Sequence, residues 1–183
     1  MKILVTYYSQ TGQTEKVAKA IFEAVKEKHE TQLLKIKDLK KVNLNDYDLI
    51  FAGTPCHSSD LAKAYQKFLK NIPSQPKFKF AGFLTHACLP PETSEKNKKL
   101  FEEWVGKCEI SYTQLTNEKN IASLGFFRCM GAASFMIEKF IHNQIITDED
   151  EWKEYQPDLR TRPNAEDLEN ARKFALQILK QAE

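Results

Sequence analysis

The sequence has no long hydrophobic run. No stretch reaches the roughly 18 consecutive apolar residues that a membrane-spanning helix needs, so membrane insertion is not expected. The first apolar stretch, Ile3–Val5, becomes polar at Thr6 and is too short for the core of a secretory signal. This stretch therefore predicts a first β-strand, and the expected location of the protein is the cytoplasm.

The chain also has little excess charge of either sign. The formal net charge is +2, no run of five or more Lys or Arg occurs, and the basic residues alternate with glutamates along helical stretches. A nucleic-acid partner is therefore not expected. The chain has 183 residues, of which 42% are hydrophobic and 28% charged. These values suit one folded α/β domain over residues 1–183 and disfavour a fibrous or disordered chain.

Several short motifs are absent. The four cysteines form no CxxC pair, which excludes zinc-ribbon and thioredoxin motifs and favours reduced thiols. The sequence contains neither GxxxxGK[ST], which binds nucleotide triphosphates, nor GxGxxG, which binds dinucleotides. No metal site and no catalytic residue is predicted.

Apolar runs alternate with amphipathic segments along most of the chain, which is the pattern of repeated βαβ units. The pattern predicts five strands, and an antiparallel core would contradict it. The predicted strands are 3–8, 31–36, 47–53, 78–85 and 121–128. The predicted helices are 13–28, 60–69, 94–105 and 164–181.

The region 134–163 departs from this alternation and is predicted to be an extended connection before the last helix. Its acidic run, 148–151, is expected to be solvated surface. Trp152 and Tyr155 within the region either pack over the domain or meet a partner, and the sequence leaves both options open.

A hydroxyl-rich turn follows the first strand. It reads Ser9-Gln10-Thr11-Gly12-Gln13-Thr14 and leads into a helix. A helix N-terminus offers unpaired N–H groups and a positive dipole end, the three hydroxyls add donors, and Gly12 permits close approach of a ligand. Ligands of parallel sheets bind where the strands end at the carboxyl edge. The turn therefore predicts a phosphate site made of neutral donors.

This turn resembles the flavodoxin phosphate loop, (T/S)x(T/S)GxT, at its usual place after the first strand. Two further segments agree: Thr54-Pro55-Cys56-His57 resembles the first isoalloxazine loop, and Thr85-His86-Ala87-Cys88 lies where the second flavin loop is found. The resemblance covers roughly residues 1–128 and the final helix. It implies a flavodoxin-like α/β three-layer sandwich with a five-stranded parallel sheet in the order 2-1-3-4-5, and FMN as the cofactor.

Two features differ from the family pattern. Flavodoxins usually stack Trp or Tyr on the flavin, whereas this sequence offers His57 and His86, one of which is expected beside the ring. Electron-carrying flavodoxins are strongly acidic, whereas this chain is slightly basic. A protonated imidazole near the flavin would stabilise the reduced anion and raise the reduction potential; otherwise both histidines are ordinary loop residues.

Three cysteines are placed near the flavin by this arrangement. Cys56 and Cys88 lie in the two flavin loops, and Cys129 follows the fifth strand. With the two histidines they would make a metal site or a thiol redox partner, but their spacing is not that of a metal site. Filling of space around the ring is therefore the favoured interpretation. Cys108 is expected in the core or on the surface.

Three functions remain open. The favoured one is an FMN-dependent electron carrier that serves redox partner proteins or a small electron acceptor. The second is an NAD(P)H-dependent reductase of quinones or similar acceptors, for which 134–163 would supply a wall of the site and a homodimer would complete it. The third is a flavin-free binding module, which leaves the hydroxyls of the turn unexplained.

Overall fold

The computed structural model describes residues 1–183 and is built on a parallel β-sheet. Five long strands lie in the order β2-β1-β3-β5-β6, and a short β4 pairs antiparallel with β3. The predicted five-stranded parallel sheet is therefore confirmed, with β4 as an unpredicted addition. The strands are β1 (Lys2–Tyr7), β2 (Glu30–Lys35), β3 (Leu49–His57), β4 (Asp60–Leu61), β5 (Lys79–His86) and β6 (Ala122–Met130).

Helices cover both faces of the sheet. They are α1 (Gln13–Val25), α2 (Lys63–Asn71), α3 (Glu95–Trp104), α4 (Gly106–Glu118), α5 (Phe135–Gln144), α6 (Glu149–Thr161) and α7 (Ala165–Ala182). Short 3₁₀ helices occur at Ile36–Lys41, Leu44–Asp46 and Pro91–Thr93. None of the helices is both long enough and apolar enough to span a membrane.

The core is divided into two layers by the sheet. Neighbouring residues of a strand point to opposite faces, so Val5 packs with α1 and α7, whereas Leu4 packs with α2 and α4. Each layer contains 18 buried residues. The sheet is thus buried on both faces, and only its edges and strand ends remain for ligands.

The chain reverses direction after β3 in a way that the sequence did not predict. Ser58 and Ser59 have positive φ angles of 50° and 62°, which turn Asp60 back to pair with His57. The helix predicted from residue 60 therefore begins only at Lys63. The helical spacing was correct from Lys63 onward, whereas Asp60 and Leu61 form the short strand β4.

Helix α4 was also missed, although the sequence carries a signal for it. Cys108, Tyr112 and Leu115 are buried and recur at helical spacing. Gly106, at the start of α4, interrupts the apolar helical spacing that runs through α3.

The long connection over residues 134–163 contains two helices, α5 and α6, which the sequence did not predict. They enclose a small core of their own against the end of β6, in which Trp152 and Tyr155 are buried. These two aromatic residues therefore pack over the domain. Asp148 caps α6 by accepting hydrogen bonds from two backbone N–H groups.

Candidate functional site

A cavity of about 420 Å³ lies at the carboxyl edge of the sheet. Its walls come from the segments that follow β1 and β6 and from the last residues of β3 and β5 with the residues after them. The lining residues are Ser9, Gln10, Thr11, Gln13, Thr14, Pro55, Cys56, His57, Ser58, Thr85, His86, Ala87, Gly131, Ala132, Ala133, Ser134, Met136 and Ile137. The predicted residues Gly12, Thr54 and Cys88 are not among them.

The turn after β1 is held by its own hydrogen bonds. Gly12 is the N-cap of α1 with φ +88°, and its N–H donates to Ser9 Oγ at 3.1 Å. A Cβ added at Gly12 would meet no atom within 4 Å, so backbone conformation rather than space favours glycine there. The first N–H groups of α1 have no partner within the helix, and Gln13 and Thr14 at this end of α1 line the cavity.

The three hydroxyls of this turn differ in their surroundings. Thr11 is exposed and Ser9 is half-buried, so both are accessible to a ligand. Thr14 is buried, and its Oγ1 lies 2.8 Å from Thr85 Oγ1. One hydroxyl of the predicted phosphate site is thus already bonded to the predicted second flavin loop.

The end of β3 contributes three of its four predicted residues to the cavity wall. Pro55, Cys56 and His57 line the cavity. Thr54 is fully buried instead: its hydroxyl donates to the Pro55 carbonyl at 3.0 Å and accepts from the Ala62 N–H at 3.3 Å. Thr54 therefore stabilises the turn that presents the other three residues.

Burial makes both histidines weaker bases. Desolvation lowers the pKa of His57, whose ring meets the Tyr8 ring edge-on at a centroid distance of 6.0 Å. Desolvation, followed by the charge of Arg128, lowers the pKa of His86 from 6.5 to about 4; approach of the Cys88 backbone offsets this only in part. At neutral pH, therefore, His86 carries no charge.

Two buried polar atoms on the cavity residues lack a hydrogen-bond partner. They are Gln13 Oε1 and His86 Nδ1. A buried polar group without a partner is uncommon and costs free energy. Both atoms belong to residues that line the cavity, although the atoms themselves are closed off from solvent.

The segment after β6 supplies a wall that the sequence did not reveal. Gly131 donates its N–H to the His86 carbonyl at 2.7 Å, and a methyl group there would lie 3.2 Å from the Cβ atoms of Gln13 and Thr85. Its position after a predicted strand was a signal, but small apolar residues such as Ala132 and Ala133 carry no recognisable motif.

The cysteines divide between the two faces of the sheet. Cys56 and Cys88 pack against the same core layer that contains Cys108, whereas Cys129 is buried in the opposite layer. The expected grouping of Cys129 with the two flavin-loop cysteines is therefore wrong, because alternate residues of a strand face opposite sides. All four cysteines are free thiols, and no group of three or more potential ligands is arranged for a metal ion.

The fold and cavity define an α/β protein with an open parallel sheet and a ligand cleft at its carboxyl edge. A family model, the flavodoxin domain, matches residues 4–176. The chain therefore belongs to the flavodoxin domain family. No match to a curated protein was found by sequence.

Solved structures share this fold at low sequence identity. A flavodoxin from the domain Archaea matches 100% of this chain and 99% of its own, with a TM-score of 0.63 and 16% identity. Flavodoxin 2 from Bacillus cereus matches 99% of both chains, with a TM-score of 0.63 and 19% identity. A flavone reductase matches 100% of this chain and 63% of its own, with a TM-score of 0.64 and 11% identity.

Proposed function

We propose that this protein binds FMN in the cavity at the carboxyl edge of the sheet and transfers electrons through it. One observation supports this most directly. The hydroxyl-rich turn before α1, the ends of β3 and β5 and the segment after β6 all line one cavity. Membership of the flavodoxin domain family supports the same cofactor.

The phosphate of FMN is assigned to the N-terminus of α1. Ser9 and Thr11 have accessible hydroxyls that donate to phosphate oxygens, and the helix adds backbone N–H groups and its positive dipole end. Because the Thr14 hydroxyl is bonded to Thr85, Thr14 contributes chiefly through its backbone. The site needs no basic side chain.

The rest of the cavity suits the remainder of FMN. The molecule carries hydroxyl and N–H donors as well as carbonyl acceptors, and Gln10 and Ser58 offer polar side chains on the cavity wall. Bound FMN supplies one- and two-electron transfer. We assign its ring to the part of the cavity that His57, Cys56 and Ala87 line.

The state of the histidines bears on the reduction potential. With its low pKa, His86 presents a neutral ring and gives no positive charge to an anionic hydroquinone at neutral pH. Burial pushes His57 in the same direction. We therefore assign the histidines packing and hydrogen-bonding roles, rather than the charge stabilisation that the sequence left open.

Titration with FMN and riboflavin tests the proposal. The purified protein should be yellow or take up FMN, and riboflavin, which lacks the phosphate, should bind far more weakly. Thr11→Val should weaken FMN binding about ten- to a hundredfold, since a hydrogen bond to a charged group contributes about 1.5–3 kcal/mol. Riboflavin affinity should not change. Thr113→Val, on the exposed face of α4, is the matched control.

Equal affinities for FMN and riboflavin, or no effect of Thr11→Val, would place the phosphate elsewhere. Absence of binding by either flavin would favour the flavin-free module.

One observation favours the reductase as a second candidate. The first residues of α5 are large, apolar and exposed: Phe135 is 76% exposed, Met136 70% and Ile137 48%, and the last two line the cavity. An apolar surface beside a flavin suits a small apolar acceptor such as a quinone. Anaerobic NADH or NADPH should then bleach the bound flavin directly, and Met136→Gln should raise the KM for an apolar quinone. A flavin that stays oxidised under these conditions supports the carrier.

A further inference from the structure

A second and larger cavity lies beside the proposed FMN cavity. Its volume is about 580 Å³, against about 420 Å³ for the first. Tyr8 lines this second cavity, and its ring meets the ring of His57, which lines the FMN cavity, at a centroid distance of 6.0 Å. Most of the remaining lining comes from residues 36–45, which follow β2, and from α2. We call this cavity the basic cleft, because of the side chains described below.

The inner lining of the basic cleft is apolar. Four half-buried side chains of the segment after β2 contribute to it: Ile36, Leu39, Val42 and Leu44. They pack against the core layer in which Phe68 of α2, another lining residue, is buried. Part of this apolar surface remains in contact with water, and an apolar ligand would remove it from water with a gain in free energy.

The outer lining of the basic cleft is positively charged. Lys37, Lys40 and Lys67 are exposed, and none of the three forms an ion pair with a carboxylate of the chain. No Asp or Glu lines the cleft, since Asp38 and Asp46, which are close in sequence, lie outside the lining. Three positive charges and no negative charge thus meet at one cavity, in a chain whose net charge is only +2. This arrangement favours an anionic group, most strongly at low salt.

We propose that the basic cleft binds a small carboxylate that carries an apolar body. The apolar body packs against the inner lining, and the carboxylate interacts with the lysine ammonium groups. A cavity of this volume, with an apolar lining and a few charged groups, is typical of small-molecule sites. Its inner lining is reached by a small molecule, whereas the flat surface of a membrane or of a folded protein contacts only the rim. The site is separate from the one assigned to FMN, and this inference does not depend on flavin binding.

NMR titration with octanoate tests where such a molecule binds. The isotope-labelled protein is titrated with octanoate and, separately, with 1-octanol, which has the same chain length and no charge. Octanoate should shift the signals of residues 36–45 and 64–71 and give NOEs from its chain to the methyl groups of Leu39 and Val42. Shifts concentrated at residues 131–137, on the wall of the FMN cavity, would overturn the proposal.

Removal of charge tests the role of the lysines. The triple variant Lys37→Gln, Lys40→Gln, Lys67→Gln should bind octanoate about five- to twentyfold more weakly, because several exposed charge interactions are lost together. Its affinity for 1-octanol should not change, which also shows that the apolar lining is intact. The matched control removes the same net charge from α3 and α7 by changing three exposed lysines to Gln: Lys98, Lys99 and Lys180. This control should bind octanoate as the wild type does.

Three results would overturn the proposal. The first is an octanoate affinity no higher than that for 1-octanol, and the second is an equal loss of octanoate affinity in the two triple variants. The third is binding of phosphatidylglycerol vesicles or of a polyglutamate peptide without binding of octanoate, which would assign the lysines to a membrane or a protein partner. The titration is repeated with FMN in excess, where the shifts of residues 36–45 and 64–71 should persist. If FMN itself does not bind, the proposed function fails, while octanoate shifts in the basic cleft still support this second site.

Discussion

The hydroxyl of Thr14, in the first turn of α1, lies 2.8 Å from the hydroxyl of Thr85, at the end of β5. Both residues are buried, and both line the candidate flavin cavity. This bond joins the phosphate turn to the second flavin loop across 71 positions of the chain. This polar contact therefore adds to the strand pairing that sets the relative placement of the two loops.

The first prediction concerns this pair. Thr14→Val or Thr85→Val should each lower the free energy of unfolding by about 1–3 kcal/mol, because each leaves one buried hydroxyl without its partner. The double variant should cost clearly less than the sum, since no hydroxyl then remains unpaired. Urea denaturation of the four proteins measures the coupling. Strictly additive losses would show that the two hydroxyls do not act together.

The second prediction concerns the backbone of the phosphate turn. Gly12→Ala should destabilise the protein by about 1–2 kcal/mol, because a left-handed conformation is unfavourable for a residue with a Cβ. Gly12→Asn should cost less, since asparagine tolerates this conformation, and there is open space for either side chain. Thermal or urea unfolding compares the two. Equal losses would mean that steric crowding, not φ, determines the preference.

The third prediction concerns pH. The pKa of His86 falls from 6.5 to about 4 on folding, so between these values the unfolded chain binds a proton that the folded chain does not. Stability is then fully present above pH 6.5 and declines as the pH falls toward 4, by about 3 kcal/mol. His86→Gln should remove this part of the acid sensitivity of the FMN-free protein. Parallel stability curves for the two proteins between pH 4 and 6.5 would contradict the assignment.

The fourth prediction concerns the attachment of α5 and α6. The Tyr155 hydroxyl donates to the Ala87 carbonyl, and the N–H groups of Ala132 and Ala133 donate to the Arg162 and Leu159 carbonyls at 2.7 and 2.9 Å. Tyr155→Phe should lower stability by about 1 kcal/mol and accelerate amide exchange at Ala132 and Ala133. Unchanged exchange at these two amides would show that the hydroxyl does not hold the cavity wall in place.

Local patterns in the sequence were sufficient for the parallel sheet and for the loops at its carboxyl edge. Apolar strands such as Ile3–Val5 are recognisable because a strand buried on both faces must be continuously apolar. The turn around Gly12 is recognisable because hydroxyls and glycine at a strand-to-helix junction have few structural alternatives. Neither inference needed contacts between distant residues.

Other features depend on contacts that no local pattern contains. The turn at Ser58 and Ser59 exists because Asp60 pairs with His57, and the burial of Trp152 and Tyr155 depends on the end of β6. The cavity wall at Gly131 carries no motif because only its small size matters there.

The sequence by itself determined the five long strands and helices α1, α2, α3 and α7, and it marked the hydroxyl turn, since these follow from periodicity and local backbone chemistry. Only the tertiary structure decided which side chains meet. It bonded Thr14 to Thr85, placed Cys129 on the opposite face of the sheet from Cys56, and removed the charge of His86 by burying it. The physical reason is that burial and long-range packing depend on how the whole chain closes around the sheet.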